Sequence, residues 1–382
     1  MQVTFRMGDA KRTVTCCRSK MHLSIPETIA NNPLPFLPEE LIVKILLKLP
    51  VKFLLQFKCV CKLWKTLISD TQFANNHLLS STAYPRLVTS VTTSGSWEIK
   101  SYPIESLLQN SSTTVIPVTI STGHQQYKIL GSCNGFLCLS DVRHTYVRLW
   151  NPYINFKSKK SPTFDDCIYC YGFGYDHVND KYKFLAQVVI HDGDCETKTI
   201  IYTFDDNILK TIEDFPGNPY TSLGKFMSGT LNWMVEEIDL DVIVSFDIVK
   251  ETYRQVLLPR HDGYDVCDLY ILSNCLSVCF NNSEECCWAL WMMKEYGVVE
   301  SWTKLMTIPH EKLLILNRMR CYVVPLFISE NGVVLLVNMS SSKFILYNLN
   351  SGELNYPRIL GKVRKVKSDL HIYHESLLSP QW

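Results

Sequence analysis

The sequence predicts a mainly β protein with a small N-terminal α segment, its β part built as a propeller-like domain of about six blades. Three observations predict it. Helical periodicity is concentrated in residues 35–73, PFLPEELIVKILLKLPVKFLLQFKCVCKLWKTLISDTQF. Beyond His77 the chain turns to short runs of β-branched and aromatic residues separated by Gly, Asn, Asp, Pro and Ser. Those runs recur in units of roughly 35 to 50 residues, the period of propeller blades.

Composition narrows the function classes. The chain has 382 residues, 46% hydrophobic and 20% charged, which suits a globular protein of one or two domains. Its 38 basic and 37 acidic residues leave a net charge of +1, so no long-range field draws it to nucleic acid or an anionic membrane. Residues 1–32 contain no apolar run of signal-peptide length, and no later stretch approaches a membrane span. A cytoplasmic or nuclear location is expected, with residues 1–33 as a disordered tail. The fifteen cysteines are spread through the chain, many inside apolar runs, and read as free thiols.

In the helical segment, Pro38 suits the first helical position and Glu39 and Glu40 the first turn. Leu41, Ile42, Ile45, Leu46 and Leu49 then form one apolar face, which Pro50 ends. Val51, Leu54 and Leu55 begin a second helix. Val60, Leu63, Trp64, Leu67 and Ile68 follow helical spacing in a third, broken by Ser69 and Asp70. Three helices in about 40 residues carry more large apolar side chains than their own core can hide, so the segment needs a partner or a neighbouring domain.

In the β part, residues 127–162, 224–259 and 325–360 repeat one order of parts. A turn glycine (Gly135, Gly229, Gly332) precedes an apolar strand, a polar turn and a second strand ending at Trp150-Asn151, Phe246-Asp247 or Tyr347-Asn348. Residues 171–216 and 269–309 form two longer units, and 84–121 a weaker one. A late strand in residues 371–378 is expected to pair with the first unit and close the ring, removing exposed edges.

No catalytic constellation emerges. Cys167 and Cys170 form a C-x-x-C without a second ligand pair, and Gly172-Phe173-Gly174 lacks the third glycine and helix of a dinucleotide site, reading instead as a turn entering a strand. The ten histidines hold no H-E-x-x-H, so no metal or cofactor is expected. Trp150, Trp233, Trp288, Trp291 and Trp302 read as blade core. Candidate substrate-binding residues lie in polar connections between strands: Asp165, Asp166, Asp192, Asp194, Glu236, Glu237, His261 and Asp262. Their acidity hints at a basic partner surface. Lys362, Arg364, Lys365 and Lys367 read as a lysine-protected strand edge.

LPEELIVKILLKLPVKFLLQFKCVCKLWKTLISD resembles the plant F-box consensus through Leu37-Pro38, Leu49-Pro50-Val51-Lys52, Phe57-Lys58-Cys59-Val60-Cys61-Lys62 and Trp64. Downstream, Gly131-Ser132-Cys133-Asn134-Gly135, Leu149-Trp150-Asn151-Pro152 and Gly172-Phe173-Gly174-Tyr175-Asp176 resemble the F-box-associated interaction domain of the family that includes S-locus and kelch-repeat F-box proteins. The resemblance implies an F-box at 34–79 and a β-propeller-like substrate-binding domain at 80–382. It also implies a non-catalytic substrate adaptor of an SCF-type ubiquitin ligase, binding a Skp-family linker and through it cullin and RING subunits. The protein substrate is unspecified.

Candidate linker anchors are Leu37, Pro38, Leu41, Ile45, Leu49, Pro50, Leu54 and Trp64, some of which must instead hold the helices together. Phe53 and Gln56 depart from the small polar and basic residues the pattern leads one to expect. Lys44, Lys48, Lys52, Lys58, Lys62 and Lys65 outnumber Glu39 and Glu40 and suit an acidic partner. The alternative is a non-ligase interaction protein or a helix-turn-helix nucleic-acid binder. Against the latter, the joints carry Leu49-Pro50 and Cys59 where a turn glycine belongs, and the third helix is loaded with apolar residues.

Overall fold

The computed structural model describes residues 37–80, 85–93, 96–109, 115–120, 126–164, 167–190, 196–236, 241–260, 265–313, 323–357 and 370–380. Residues 1–33 and the basic run 362–367 lie outside them. The chain divides into two units, residues 1–45 and 46–382.

In the first unit Leu37 and Pro38 lead into α1 (Glu39–Leu47), with Glu39 and Glu40 in its first turn. The amides of Leu41 and Ile42 donate to the Pro38 carbonyl at 3.0 and 3.2 Å, so Pro38 sits just outside the helix it opens.

The second unit begins with the end of α1 and continues through α2 (Val51–Phe57), α3 (Lys62–Ser69) and α4 (Thr71–Ser80). Three helices were expected from the sequence, and α4 is the addition. Asp70 explains it: the residue that stops α3 also starts α4, its carboxylate accepting from Phe73 N at 2.9 Å and its carbonyl from Ala74 N at 3.0 Å. Leu46, Val51, Leu54, Ile68 and Phe73 are buried, each worth about 1.5–3 kcal/mol. Buried His77 on α4 donates from Nε2 to the Leu49 carbonyl at 2.8 Å, satisfying a group left open where Pro50 halts α1.

The β part forms six sheets arranged as propeller blades. Blade 1 holds β1 (Pro85–Thr93), β2 (Ser96–Pro103) and β3 (Val118–Ile120), with a short helix, α5 (Ile104–Leu108), after β2. Blade 2 holds β4 (Tyr127–Cys133), β5 (Phe136–Asp141), β6 (Val147–Asn151) and β7 (Phe156–Lys157). Blade 3 holds β8 (Cys167–Asp176), β9 (Lys181–Ile190), β10 (Glu196–Thr203) and β11 (Ile208–Ile212). Blade 4 holds β12 (Asn218–Pro219), β13 (Lys225–Met227), β14 (Thr230–Glu236), β15 (Val242–Asp247) and β16 (Thr252–Leu257). Blade 5 holds β17 (Asp265–Leu272), β18 (Cys275–Asn282), β19 (Cys287–Met293) and β20 (Trp302–Pro309). Blade 6 holds β21 (Val323–Ile328), β22 (Val333–Asn338), β23 (Lys343–Asn348) and β24 (Leu354–Asn355), and β25 (Leu370–His374) then returns to blade 1.

β25 pairs antiparallel with β1, Pro85 opposite His374 and Thr89 opposite Leu370, so the expected late strand completes the first blade. The residues after it lock the closure. Asn151 Nδ2 donates to the carbonyls of Ser376 and Leu378 at 2.9 and 3.1 Å, and Glu375 takes Arg86 at 3.4 Å and the Tyr153 hydroxyl.

The repeat read in the sequence has a hydrogen-bonding cause. Asn151, Asp247 and Asn348 each end a strand and fold the chain back through a side-chain oxygen, accepting from Tyr153 N, from Val249 and Lys250 N, and from Asn350 and Ser351 N. Gly135 has φ +77° in the β4–β5 turn, where a Cβ would stand 2.0 Å from that of Ser376. Gly172 and Gly174 lie inside β8, not in a turn before it, which corrects the expectation. A Cβ on Gly174 would come within 2.5 Å of both Phe226 and Ile248 of blade 4, so close packing of blades dictates it.

Each apolar cluster spans two neighbouring blades. Phe136 and Phe184 join blades 2 and 3; Leu185 and Trp233, 3 and 4; Met234 and Phe280, 4 and 5; Trp288 and Leu336, 5 and 6; Leu335 and Tyr102, 6 and 1; Val88 and Trp150, 1 and 2. Trp150, Trp233, Trp288 and Trp302 are buried as blade core, while Trp291 is partly buried. The nine cysteines whose side chains are described are free thiols. Among the described residues no helix is long and apolar enough to cross a membrane.

Candidate functional site

Two surfaces come into question, one on the helices and one on the propeller. In the first unit Leu37, Pro38, Leu41 and Ile45 are exposed, Leu41 and Ile45 being 44% and 51% accessible one helical turn apart. Among the described residues of that unit they remain largely in solvent. In the second unit Leu49, Pro50 and Trp64 are half-buried, whereas Leu54 is fully buried and holds the helices together.

Sequence reasoning passed over the accessible apolar residues Phe53, Val60 and Leu63 as anchors, although they are 47%, 63% and 56% exposed. Their signal was present. Val60 and Leu63 open the apolar pattern of the third helix, and Phe53 is a departure from the expected pattern. The Cys61 thiol caps α3 by accepting from Trp64 N at 3.5 Å, and Trp64 packs on Phe57 with ring centroids 5.3 Å apart. The helices are thus held by caps and a small core, leaving other apolar side chains in solvent. Lys58 is driven below the usual lysine pKa by partial burial and then by neighbouring Lys65, so positive charge is crowded here.

On the propeller, Glu236 is exposed at the end of β14. Asp165, Asp166, Asp192, Asp194, Glu237, His261 and Asp262 lie outside the described residues. The strand ends that flank them share one end of their blades: Cys167 opens β8, Ile190 pairs with Glu196 where β9 meets β10, Val235 pairs with Val242, and Asp265 opens β17. Inner strands run in a common direction, as the parallel bridge between Tyr171 and Leu223 shows for blades 3 and 4. The described strand ends at Cys167, Ile190, Glu196, Val235 and Val242 therefore lie at one end of blades 3 and 4.

A channel of about 1370 Å³ runs along the inner strands, reaching from Asp265 at one end of β17 to Ser273 and Asn274 at the other. Sequence reasoning did not single out Lys225, Asp268 or His371, which line it. Lys225 lies with Nζ 5.7 Å from the Tyr270 ring centroid. Asp268 accepts from Leu269 N at 2.7 Å and from Thr221 Oγ1 at 3.5 Å; burial raises its pKa, and Lys225 and these hydrogen bonds oppose the rise. His371 donates from Nε2 to the Ile129 carbonyl at 3.1 Å; burial, then the charge of Lys225, lowers its pKa to about 4. Its imidazole is neutral at physiological pH. Among the described residues no three His, Cys, Asp or Glu side chains gather as a metal-binding group.

Comparison with known proteins fits this geometry. Residues 34–76 match the F-box domain and residues 93–380 the F-box associated beta propeller domain. The chain belongs to the F-box proteins with an F-box-associated β-propeller. An F-box/kelch-repeat protein of Arabidopsis thaliana is 32% identical over 90% of this chain and 96% of its own length. The F-box protein CPR1 of the same plant is 25% identical over 85% of this chain and 84% of its own. A chain from the crystal structure of a nidogen/laminin complex aligns at 11% identity and a TM-score of 0.43, covering 76% of this chain and 99% of that one.

Proposed function

We propose that this F-box protein is the substrate-recognition adaptor of an SCF-type cullin-RING ubiquitin ligase, acting in the cytoplasm or nucleus. The observation that carries the reading is the set of large apolar side chains left in solvent on an F-box, Leu41 and Ile45 in the first unit and Phe53, Val60 and Leu63 in the second. Exposed apolar side chains interspersed along the sequence with lysines suit a partner with an apolar groove and acidic margins. That partner is a Skp-family linker, which joins the F-box at 34–79 to cullin and RING subunits. The β domain at 80–382 takes the protein substrate at the propeller end bounded by the described strand ends at Cys167, Glu236 and Asp265.

The mechanism is proximity. Two binding surfaces on one chain raise the effective concentration of substrate lysines near a charged conjugating enzyme, which lowers the entropic cost of transfer. Bond making belongs to the partners, and this chain is a non-catalytic subunit.

A pull-down of the full chain with a purified Skp-family linker tests the assembly. Wild type is expected to bind, and Leu41→Asp with Ile45→Asp to lose at least tenfold in affinity while the melting temperature stays put. Failure of wild type to bind, or equal binding by the variant, sinks the proposal.

A further inference from the structure

Hydrogen-bond acceptors gather at the channel mouth where β17 begins. Asp265 opens β17 and stands opposite Asn281 on β18, and both residues line the channel. Asn281 is 7% exposed, and its side-chain oxygen has no hydrogen-bond partner while its amide turns to Ser283 Oγ at 3.2 Å. A buried acceptor without a donor is costly, and one on a cavity wall invites a donor from outside.

Blade 4 completes the mouth. Tyr220 is 41% exposed and donates its hydroxyl to Asp241 at 2.9 Å, leaving an aromatic ring beside a carboxylate. Asp268 lies three residues further along β17, roughly 10 Å deeper at strand spacing. Among the described ionisable residues that line the channel, Asp241, Asp265 and Asp268 face a single permanent cation, Lys225. His371 and His374 are both disfavoured as cations by burial. The described lining of the channel is therefore net negative.

We propose that this mouth receives an arginine side chain presented by the captured protein. The assignment rests on the adaptor reading and narrows its substrate class. A guanidinium is planar and carries five donors. It can fork onto Asp265 or Asp241, stack on Tyr220 and reach the Asn281 oxygen. Lysine offers a more strongly hydrated point charge without the fork or the stacking plane, so arginine is the better match. An acidic segment would meet like charge here, and a purely apolar one would leave the Asn281 oxygen unanswered.

The test pans a displayed random dodecapeptide library on the full chain, followed by titration of the selected peptides. Selected peptides are expected to share an arginine. Changing it to lysine should weaken binding at least threefold. Asp241→Asn with Asp265→Asn should weaken it at least tenfold, and Asn281→Leu severalfold, in proteins whose thermal melts match wild type. Selection of peptides without arginine, an empty selection, or equal binding by the folded double variant overturns the assignment. The linker pull-down is a separate arm: its failure removes the adaptor reading and leaves the arginine preference measured, and the reverse outcome removes only the arginine assignment.

Discussion

The helical segment and the propeller solve the same problem in opposite ways. Of the eighteen large apolar side chains exposed among the described residues, seven fall between Leu37 and Leu79, a small fraction of the chain. The propeller, several times longer, hides its apolar faces by making every cluster the joint property of two blades. Closure gives each blade two neighbours; among the described residues Leu41 and Leu63 stay exposed. The contrast teaches where to expect a partner: a fold that covers itself marks its docking surface by what it leaves uncovered.

Removing β25 should break the contrast most severely. A chain ending at residue 369 leaves one edge of β1 unpaired and strips Tyr373, 0% exposed, from the cluster shared by blades 1 and 2. Loss of the cooperative melt, with aggregation on size-exclusion chromatography, is the expected outcome; a monomer melting like wild type would show that the ring does not need its clasp. Next in size, Leu54→Ala should cost about 2–5 kcal/mol of helical-segment stability by denaturant titration, because it empties a fully buried site.

Glycine replacements sharpen the propeller side. Gly135→Ala meets both positive φ and the Ser376 Cβ and should cost about 2 kcal/mol or more. Gly332→Ala, with φ +75° and only ordinary contacts, should cost about 1 kcal/mol. Equal losses would mean that the contact with the C-terminal segment adds nothing.

Acid should also separate the regions. Burial alone would raise Asp176, but hydrogen bonds from Asn179 and Lys183 outweigh it and hold its pKa below the usual value. Glu251 is likewise lowered, burial being outweighed by Lys210 and Lys183. Groups with depressed folded-state pKa values contribute stability above their unfolded values, near pH 4, and lose it as pH falls through the folded ones. Near-ultraviolet circular dichroism should show propeller stability falling below about pH 4, with the fall reduced in Asp176→Asn. An unchanged acid limb would refute the role of this pair. Smallest of all, Leu63→Asp should move stability by less than about 0.5 kcal/mol despite replacing a leucine, since that side chain is already in water.

What could be read from the sequence follows the range of the forces involved. The stop at Pro50 and the strand ends at Asn151, Asp247 and Asn348 are set by neighbours a few residues away, and so were legible. The closing strand was legible because an apolar run must find an edge. Asp70 was half read, since one side chain serves two helices. Gly172 and Gly174 were misread because their cause is a neighbouring blade. Asp268 was missed because a register shift between Val266 and Asp268 interrupts the alternation of β17, and alternation was the available cue.

The pairing of β1 with β25 has a temporal consequence. During synthesis the first blade emerges with one edge vacant and keeps it vacant until residues 370–374 have left the ribosome. Five blades can complete themselves in order while the first waits. Translation that halts early therefore releases a ring with an open seam, ready to accept a strand from any other chain, and only a chain translated through β25 can close it.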